Sequence, residues 1–298
     1  MLPAALCYFL SDNGNIDAEA TIVRISDNRL WYCSAAAAEY HDMDWLTERL
    51  PAGADIRMES LTNSHTVLVV AGPPARALMD AVCPRTSFTR TDFPWMAART
   101  CLVRHVEAMV MAVGFSGEQA FEMHVPNIQL HAAYLVLTRA GAAYGLAHLG
   151  LYAIEPMRME RGFGHWKLDF ITEFNPIEAG VGRFVDMTRD FPGKQGLERQ
   201  IALGDRRRRV LLELDSASAP AQAGETVFDG EEPVGAITSA AWGCRVGKNL
   251  AMACIDPART HMGTVLNVFL IGAGTTATVV GSCPYDPDHA IARGQSRG

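Results

Sequence analysis

Two rhythms of apolar and polar positions run along the chain, and they change near residue 203. In the first part, strand-like runs alternate with stretches whose apolar residues recur every three or four positions. Cys7-Tyr8-Phe9-Leu10 reads as a strand, Ser11-Asp12-Asn13-Gly14-Asn15 as a turn, and residues 20–25 as the returning strand of a hairpin. A second turn at Asp27-Asn28 leads into Leu30-Trp31-Tyr32-Cys33, and residues 35–50 have helical periodicity. Residues 66–70 predict a buried strand ending at Gly72-Pro73. Residues 74–82 then predict a helix, with proline tolerated in its first turn. Residues 101–113 read as one strand, and a glycine turn at 114–117 leads to another at 121–125. Two helices are predicted over 130–145 and 151–160. Strands mixed with helices and hairpins in this way indicate an α+β fold.

Past Leu203-Gly204-Asp205 the helical period fades. Runs at 210–214, 225–228, 234–238, 251–255 and 264–269 are short strands between turns, the pattern of a small antiparallel β-barrel. The expected organisation is therefore residues 1–203 as one region and 204–298 as a C-terminal barrel domain. Gly263 and the Gly272–Gly274 pair fall in this second part, where strand bends account for them.

A formal charge of −7 argues against binding nucleic acid or an anionic membrane surface by a general field. The one basic run, Arg206 to Arg209, reads better as a solvated linker and strand entry than as a nucleic-acid patch. Seven cysteines stand singly with no CxxC pair, which fits a reducing compartment such as the cytoplasm better than a disulfide framework. The opening residues 1–10 are apolar but lack a basic leader, so a signal peptide is not expected, and no apolar run is long enough to span a membrane.

The sequence holds no Walker loop, no dinucleotide glycine fingerprint and no nucleophile elbow. His41-Asp42-Met43-Asp44 offers metal-ligand types, but their spacing on a helix converges poorly, so a polar helix face is the better reading and no metal site is assigned. His124, His148 and His165 are each isolated. Two clusters carry more chemistry. In Gly114 to Pro126 a glycine turn feeds a strand whose apolar run is interrupted by Glu122. That residue is either an outward-facing strand position or a carboxylate set against a ligand with two parallel N–H donors, such as the aminopyrimidine edge of a pterin. In Glu155-Pro156-Met157-Arg158-Met159-Glu160-Arg161-Gly162-Phe163, Arg158 lies between apolar residues and is expected to point inward. There it would pair with Glu160 or Glu178, or meet an anionic ligand.

The order of these motifs resembles the glycine-cleavage T-protein (aminomethyltransferase) superfamily, most closely the folate-binding portion that follows the flavin domain in dimethylglycine and sarcosine dehydrogenases. The resemblance is carried by Phe9-Leu10-Ser11-Asp12-Asn13-Gly14, His41-Asp42-Met43-Asp44-Trp45-Leu46, Ala71-Gly72-Pro73, residues 114–126, and Met157-Arg158-Met159-Glu160-Arg161-Gly162 with His165-Trp166. It continues through Asn175-Pro176-Ile177-Glu178-Ala179-Gly180, Asp190-Phe191-Pro192-Gly193-Lys194, Gly235-Ala236-Ile237-Thr238-Ser239 and Lys248-Asn249-Leu250-Ala251-Met252-Ala253. Each motif is weak alone; their shared order covers nearly the whole chain.

The resemblance implies a cloverleaf-like tetrahydrofolate-binding fold ending in a barrel, and a chain shortened at its start relative to the family. It places Glu122 at the carboxylate that binds the pterin ring and Arg158 at the arginine lining the cavity. Phe115 stands where the T-protein commonly has tyrosine. The catalytic acidic pair of the first hairpin corresponds to Ala18-Glu19, which leaves Glu19 as the catalytic candidate. The implied activity is transfer of a one-carbon unit from a small amine-derived substrate to tetrahydrofolate, with FAD only on a flavoprotein partner or a domain outside this chain. A non-catalytic folate-binding or interaction module is the alternative. The iron–sulfur-assembly branch of the superfamily carries a Lys-Gly-Cys signature near 190–194, and no cysteine is present there.

Overall fold

The structure is a computed structural model that describes residues 2–216 and 219–294. The outermost residues of the two predicted regions, Met1 and 295–298, lie outside the described residues. The chain folds as two compact units, one of residues 1–6, 20–149 and 288–298, the other of residues 7–19 and 150–287. It has the α+β character and the closed barrel that the hydrophobic pattern predicts.

The first unit is built on a seven-stranded sheet in the order β3-β2-β1-β5-β6-β7-β4. Its strands are β1 (Leu2–Leu10), β2 (Ile16–Ser26), β3 (Arg29–Ser34), β4 (His65–Ala71), β5 (Ala97–Val103), β6 (Val106–Met111) and β7 (Ala120–Pro126). The strand expected over residues 101–113 is instead the β5–β6 hairpin. Val103 pairs with Val106, and Arg104 takes the turn with a φ of 56°. The turn carries none of the usual glycine or asparagine signals, and apart from Glu107 the residues of β6 are apolar on both faces, so the pattern shows no clear break. Val106, Ala108 and Val110 face helices α2 (Ala75–Val82) and α3 (Leu130–Gly141), while Met109 and Met111 join Ala4, Val23 and Ala98 in a core on the opposite face. On β7, Phe121, Met123 and Val125 are fully buried in the α2–α3 core, which turns Glu122 and His124 to the other face. Strand β4 ends the sheet order and is not fully buried as predicted, since Val67 is 45% and Val69 54% exposed. Helix α1 (Glu39–Glu48) buries Asp42, which accepts from the Tyr32 hydroxyl at 3.2 Å and lies 3.0 Å from His41 Nδ1. That pairing gives the histidine–aspartate motif a structural account.

In the second unit, the hairpin end between β1 and β2 packs on helix α5 (Lys194–Leu203), which the hydrophobic pattern does not predict. Two glycines make the approach possible. A Cβ on Gly196 would sit 2.2 Å from the Asp12 carbonyl oxygen, and one on Gly14 would sit 2.2 Å from the Leu197 nitrogen. Because these obstacles are backbone atoms, Gly196→Ala is expected to force the hairpin away from α5. A loss of about 1–3 kcal/mol should follow, read as a lower midpoint in thermal unfolding.

Helix α4 (Leu151–Glu160) packs against barrel strands β10 and β11. The barrel closes in the order β10-β11-β8-β13-β12-β9, from β8 (Arg208–Leu214), β9 (Thr226–Asp229), β10 (Glu232–Gly243), β11 (Lys248–Ile255), β12 (Val265–Leu270) and β13 (Ala273–Val280). Its interior is aliphatic, with Leu212, Val227, Ala251, Ala253, Ile255, Leu266, Val268 and Ala277 all fully buried. Strand β13 is one more than the sequence pattern predicts. Gly272, with a φ of 79°, turns the β12–β13 hairpin where a bend is expected, and Leu270 pairs with Ala273 across it. The arginine run enters β8 as expected but is not simply solvated. Arg206 pairs with buried Glu178 at 3.2 Å, Arg207 lies over the Phe174 ring at 4.0 Å, Arg208 binds Asp205, and Arg209 donates to the Ala179 carbonyl at 2.8 Å.

Candidate functional site

In β2 the alternation of side chains buries Ile16, Ala18 and Ala20 and turns Asp17 and Glu19 to the other face. Glu19 is partly buried and accepts a hydrogen bond from the Tyr8 hydroxyl, with the Arg209 guanidinium acting on it as the neighbouring positive charge. Burial pushes the Glu19 carboxyl up to about 7, and the Tyr8 hydrogen bond and Arg209 oppose that rise without cancelling it. The same burial, reinforced by the negative charge of Glu19, drives the Tyr8 phenol upward, so it remains a donor. Burial lowers Arg209, and Asp169 opposes that shift. A carboxyl that titrates near neutrality can both take up and release a proton at physiological pH.

Arg158, at the end of α4 in the same unit, points inward as predicted and is completely buried. Its donors are all engaged. Nε and Nη2 bind Glu155 Oε2 at 3.0 and 2.8 Å, Nη1 binds the Phe163 carbonyl at 3.1 Å and Asp169 at 2.5 Å, and Nη2 also binds Ser239 Oγ at 2.8 Å. Asp169, itself fully buried, accepts further from Thr238 Oγ1 at 2.6 Å, Ser239 Oγ at 2.5 Å and the His165 amide at 2.8 Å. The partners expected from sequence, Glu160 and Glu178, are taken by Arg245 and Arg206. The arginine reaches instead one helical turn back and across to the loop of Asp169, a contact that sequence spacing does not reveal.

Glu122 and Phe115 belong to the first unit. Glu122 pairs in register with Met111 on β6 and Val69 on β4, and its side chain is 30% exposed. Among the described residues no hydrogen bond reaches its carboxylate, and the His124 Nε2 atom lies 3.8 Å away. Burial first, and the Glu122 charge second, push the Cys33 thiol up to about 12. Phe115 is 38% exposed in the glycine turn before β7. A pocket of about 200 Å³ is lined by Trp31, His65, His124 and Met109, and Trp31 meets both imidazoles edge-on at 5.7 and 5.8 Å. The sequence leaves His124 isolated, yet its place two residues after Glu122 on a strand sets both on one face. That alternation is the signal that finds it. Tyr8 and Arg209 carry no such signal, because one lies on β1 and the other on β8.

Among the described residues no group of three or more histidine, cysteine or acidic side chains is arranged to hold a metal ion. No described helix is long and apolar enough to cross a membrane. All seven cysteines are free.

A model of the GCVT N-terminal domain matches residues 3–189, and one of the glycine cleavage T-protein C-terminal barrel domain matches residues 207–286. The chain belongs to the glycine cleavage T-protein family. It is 28% identical over 280 residues to the mitochondrial dimethylglycine dehydrogenase of Homo sapiens, an alignment covering 92% of this chain and 32% of that protein. It thus spans about a third of the length of that dehydrogenase. With the aminomethyltransferase of Symbiobacterium thermophilum it shares 28% identity over 292 residues, covering 96% of this chain and 76% of the relative. The crystal structure of glycine cleavage system aminomethyltransferase T from Bartonella henselae superposes with a TM-score of 0.82 at 21% identity, over 96% of this chain and 76% of that one. This likeness establishes the fold of the T-protein family for both the sheet unit and the barrel.

Proposed function

We propose that this chain carries out tetrahydrofolate-dependent one-carbon transfer from a small amine donor, as part of a glycine-cleavage or dimethylglycine dehydrogenase-like system. In this reading residues 1–203 form the folate-binding region and residues 204–298 the barrel domain. The observation that carries the reading is the Glu122 carboxylate, partly covered on the sheet face and without a hydrogen bond among the described residues. It suits a planar ligand edge offering two parallel N–H donors, which a pterin has. Phe115, exposed beside β7, offers an aromatic surface for the same ligand. The part assigned to Arg158, in the second unit, is to hold Glu155 and Asp169 in place, since its own donors are all engaged.

Tetrahydrofolate supplies the nitrogen nucleophiles that take up the carbon. Glu19 in its carboxylate form stabilises positive charge developing on the carbon–nitrogen group of the donor, takes the proton released as the new carbon–nitrogen bond forms, and passes it to the amine that leaves as the donor's own carbon–nitrogen bond breaks. A carboxyl near 7 is matched to that exchange. Oxidation that brings the donor carbon to the transferable level falls to a flavoprotein partner or domain carrying FAD. With seven free cysteines the chain suits a reducing setting, and we place it in the cytoplasm.

Calorimetry with tetrahydrofolate tests the assignment. Glu122→Gln is expected to weaken binding about tenfold to a hundredfold, the effect of losing a charged double acceptor. Unchanged affinity would remove Glu122 from the site. A second reading, folate binding without turnover, draws on Ala18, fully buried where the family carries the other acid of the pair. Binding with no methylene-tetrahydrofolate formed from any amine donor, in the presence of a flavoprotein oxidase, would select it.

A further inference from the structure

We infer that the pocket inside the curl of the seven-stranded sheet is a binding site for a small zwitterionic amine, an amino acid or its N-methylated form. Arg29 meets its carboxylate and Glu107 its ammonium group. Strands β3 and β4 are the two ends of the sheet order, yet Trp31 on β3 meets His65 on β4 and His124 on β7, with ring centroids 5.7 and 5.8 Å apart. The sheet therefore curls until its ends meet, and about 200 Å³ is left open between its strands. Register sets the walls. Met109 pairs with Thr100 on one side and His124 on the other, His65 pairs with Pro126, and Glu107 lies two residues before Met109 on the same face. Met109 and His124 are buried, whereas Arg29, Thr100 and Glu107 are exposed, so an apolar floor opens to a charged mouth. Pockets for drug-sized ligands run to about 300–1,000 Å³, so the occupant of this one is smaller.

The charges in this pocket select its ligand. Arg29 and Glu107 both line it, and among the described residues neither makes a side-chain hydrogen bond or an ion pair. A simple anion would be repelled by the carboxylate and a simple cation by the guanidinium, whereas a molecule carrying both charges a few bonds apart satisfies both. The guanidinium fork matches a carboxylate, and the Trp31 ring attracts an ammonium group, methylated or not. The two imidazoles add polar partners. Ser64 Oγ gives its one hydrogen to the Leu61 carbonyl at 3.1 Å, so His65 Nδ1, 2.9 Å from that oxygen, is the donor between them. The Nε2 atom of a neutral His65 is then left as an acceptor for an ammonium N–H. His124 is only 7% exposed, and its Nε2 is buried with no hydrogen-bond partner among the described residues. An unpaired nitrogen in a buried wall is uncommon in folded proteins and marks a place where a polar group of a ligand belongs.

Calorimetric titration of the full chain tests this with glycine and N,N-dimethylglycine as zwitterions, and acetate and dimethylamine as the two halves. Saturable binding is expected for at least one zwitterion, with each half binding about tenfold more weakly or worse. Arg29→Gln and Glu107→Gln should each weaken the zwitterion about tenfold. Both side chains are exposed, so the thermal midpoint of either variant should match that of the unmodified chain, which separates lost binding from lost folding. Absence of binding by both zwitterions would overturn the inference, as would binding that neither variant disturbs. Acetate binding as tightly as dimethylglycine, or binding strengthened by Glu107→Gln, would show a plain anion site and overturn it too. Tetrahydrofolate is left out of these titrations and no turnover is measured, so their outcome is independent of the function proposed for Glu122 and Glu19.

Discussion

Glu19→Gln is expected to remove one-carbon transfer almost entirely while making the protein more stable above neutral pH. The loss of activity follows from the role proposed for the carboxylate. Glutamine can accept the Tyr8 hydrogen bond but carries no charge and takes no proton, and such losses are typically about a hundredfold to ten-thousandfold. The gain in stability follows from linkage. The folded-state value of about 7 lies above the ordinary glutamic acid value of 4.5, so between those pH values the folded chain holds the proton more tightly than the unfolded chain. Stability therefore falls as pH rises through this window, and the full penalty, on the order of 3 kcal/mol, is present above 7. Glutamine has no such penalty. Urea unfolding at pH 5 and at pH 8 should find the variant close to the unmodified chain at the lower pH and more stable at the higher. Equal pH dependence in the two proteins would mean that Glu19 ionises normally.

The second large effect is expected in the buried network of Arg158 and Asp169. Both side chains are wholly excluded from solvent, and Asp169 alone gathers donors from α4, from β10 and from the loop at His165. Asp169→Ala removes the acceptor for four hydrogen bonds and leaves the guanidinium with only Glu155 to balance its charge. Breaking a buried pair from one side costs about 3–5 kcal/mol, a large part of the stability of most domains. The midpoint of chemical unfolding should fall sharply at unchanged slope. Lys248 and Glu213 serve as the contrast: their 2.6 Å ion pair is about half-exposed at the lysine, and Glu213→Ala should change stability by less than about 1 kcal/mol. If the two variants were equally mild, the interior network would not be holding α4 to the barrel.

The same residues show how far the sequence could be read. Arg158 betrays its burial by sitting between apolar neighbours on a helix, since a side chain flanked in that way must face the core with them. Its partners are another matter. Glu160 and Glu178 are near it in the chain or in the family motif order, whereas Asp169 reaches it only because the loop after α4 folds back over strand β10. Glu122 is similar. Alternation sets it on the face opposite Phe121 and Met123, but whether that face is open, and that His124 and Trp31 stand beside it, depends on which strands flank β7 and β3.

Strand and helix periods, turn residues and the change of rhythm near residue 203 were thus enough to determine an α+β fold with a terminal antiparallel barrel. These are local signals, written in neighbours a few positions apart. The β5–β6 turn, the extra strand β13 and helix α5 escaped them because their local signals are weak and their formation is decided by packing partners. The protonation of Glu19 lies furthest from the sequence. It is set by Tyr8 on one strand, Arg209 on another and the exclusion of water between them, and only the tertiary structure brings these together.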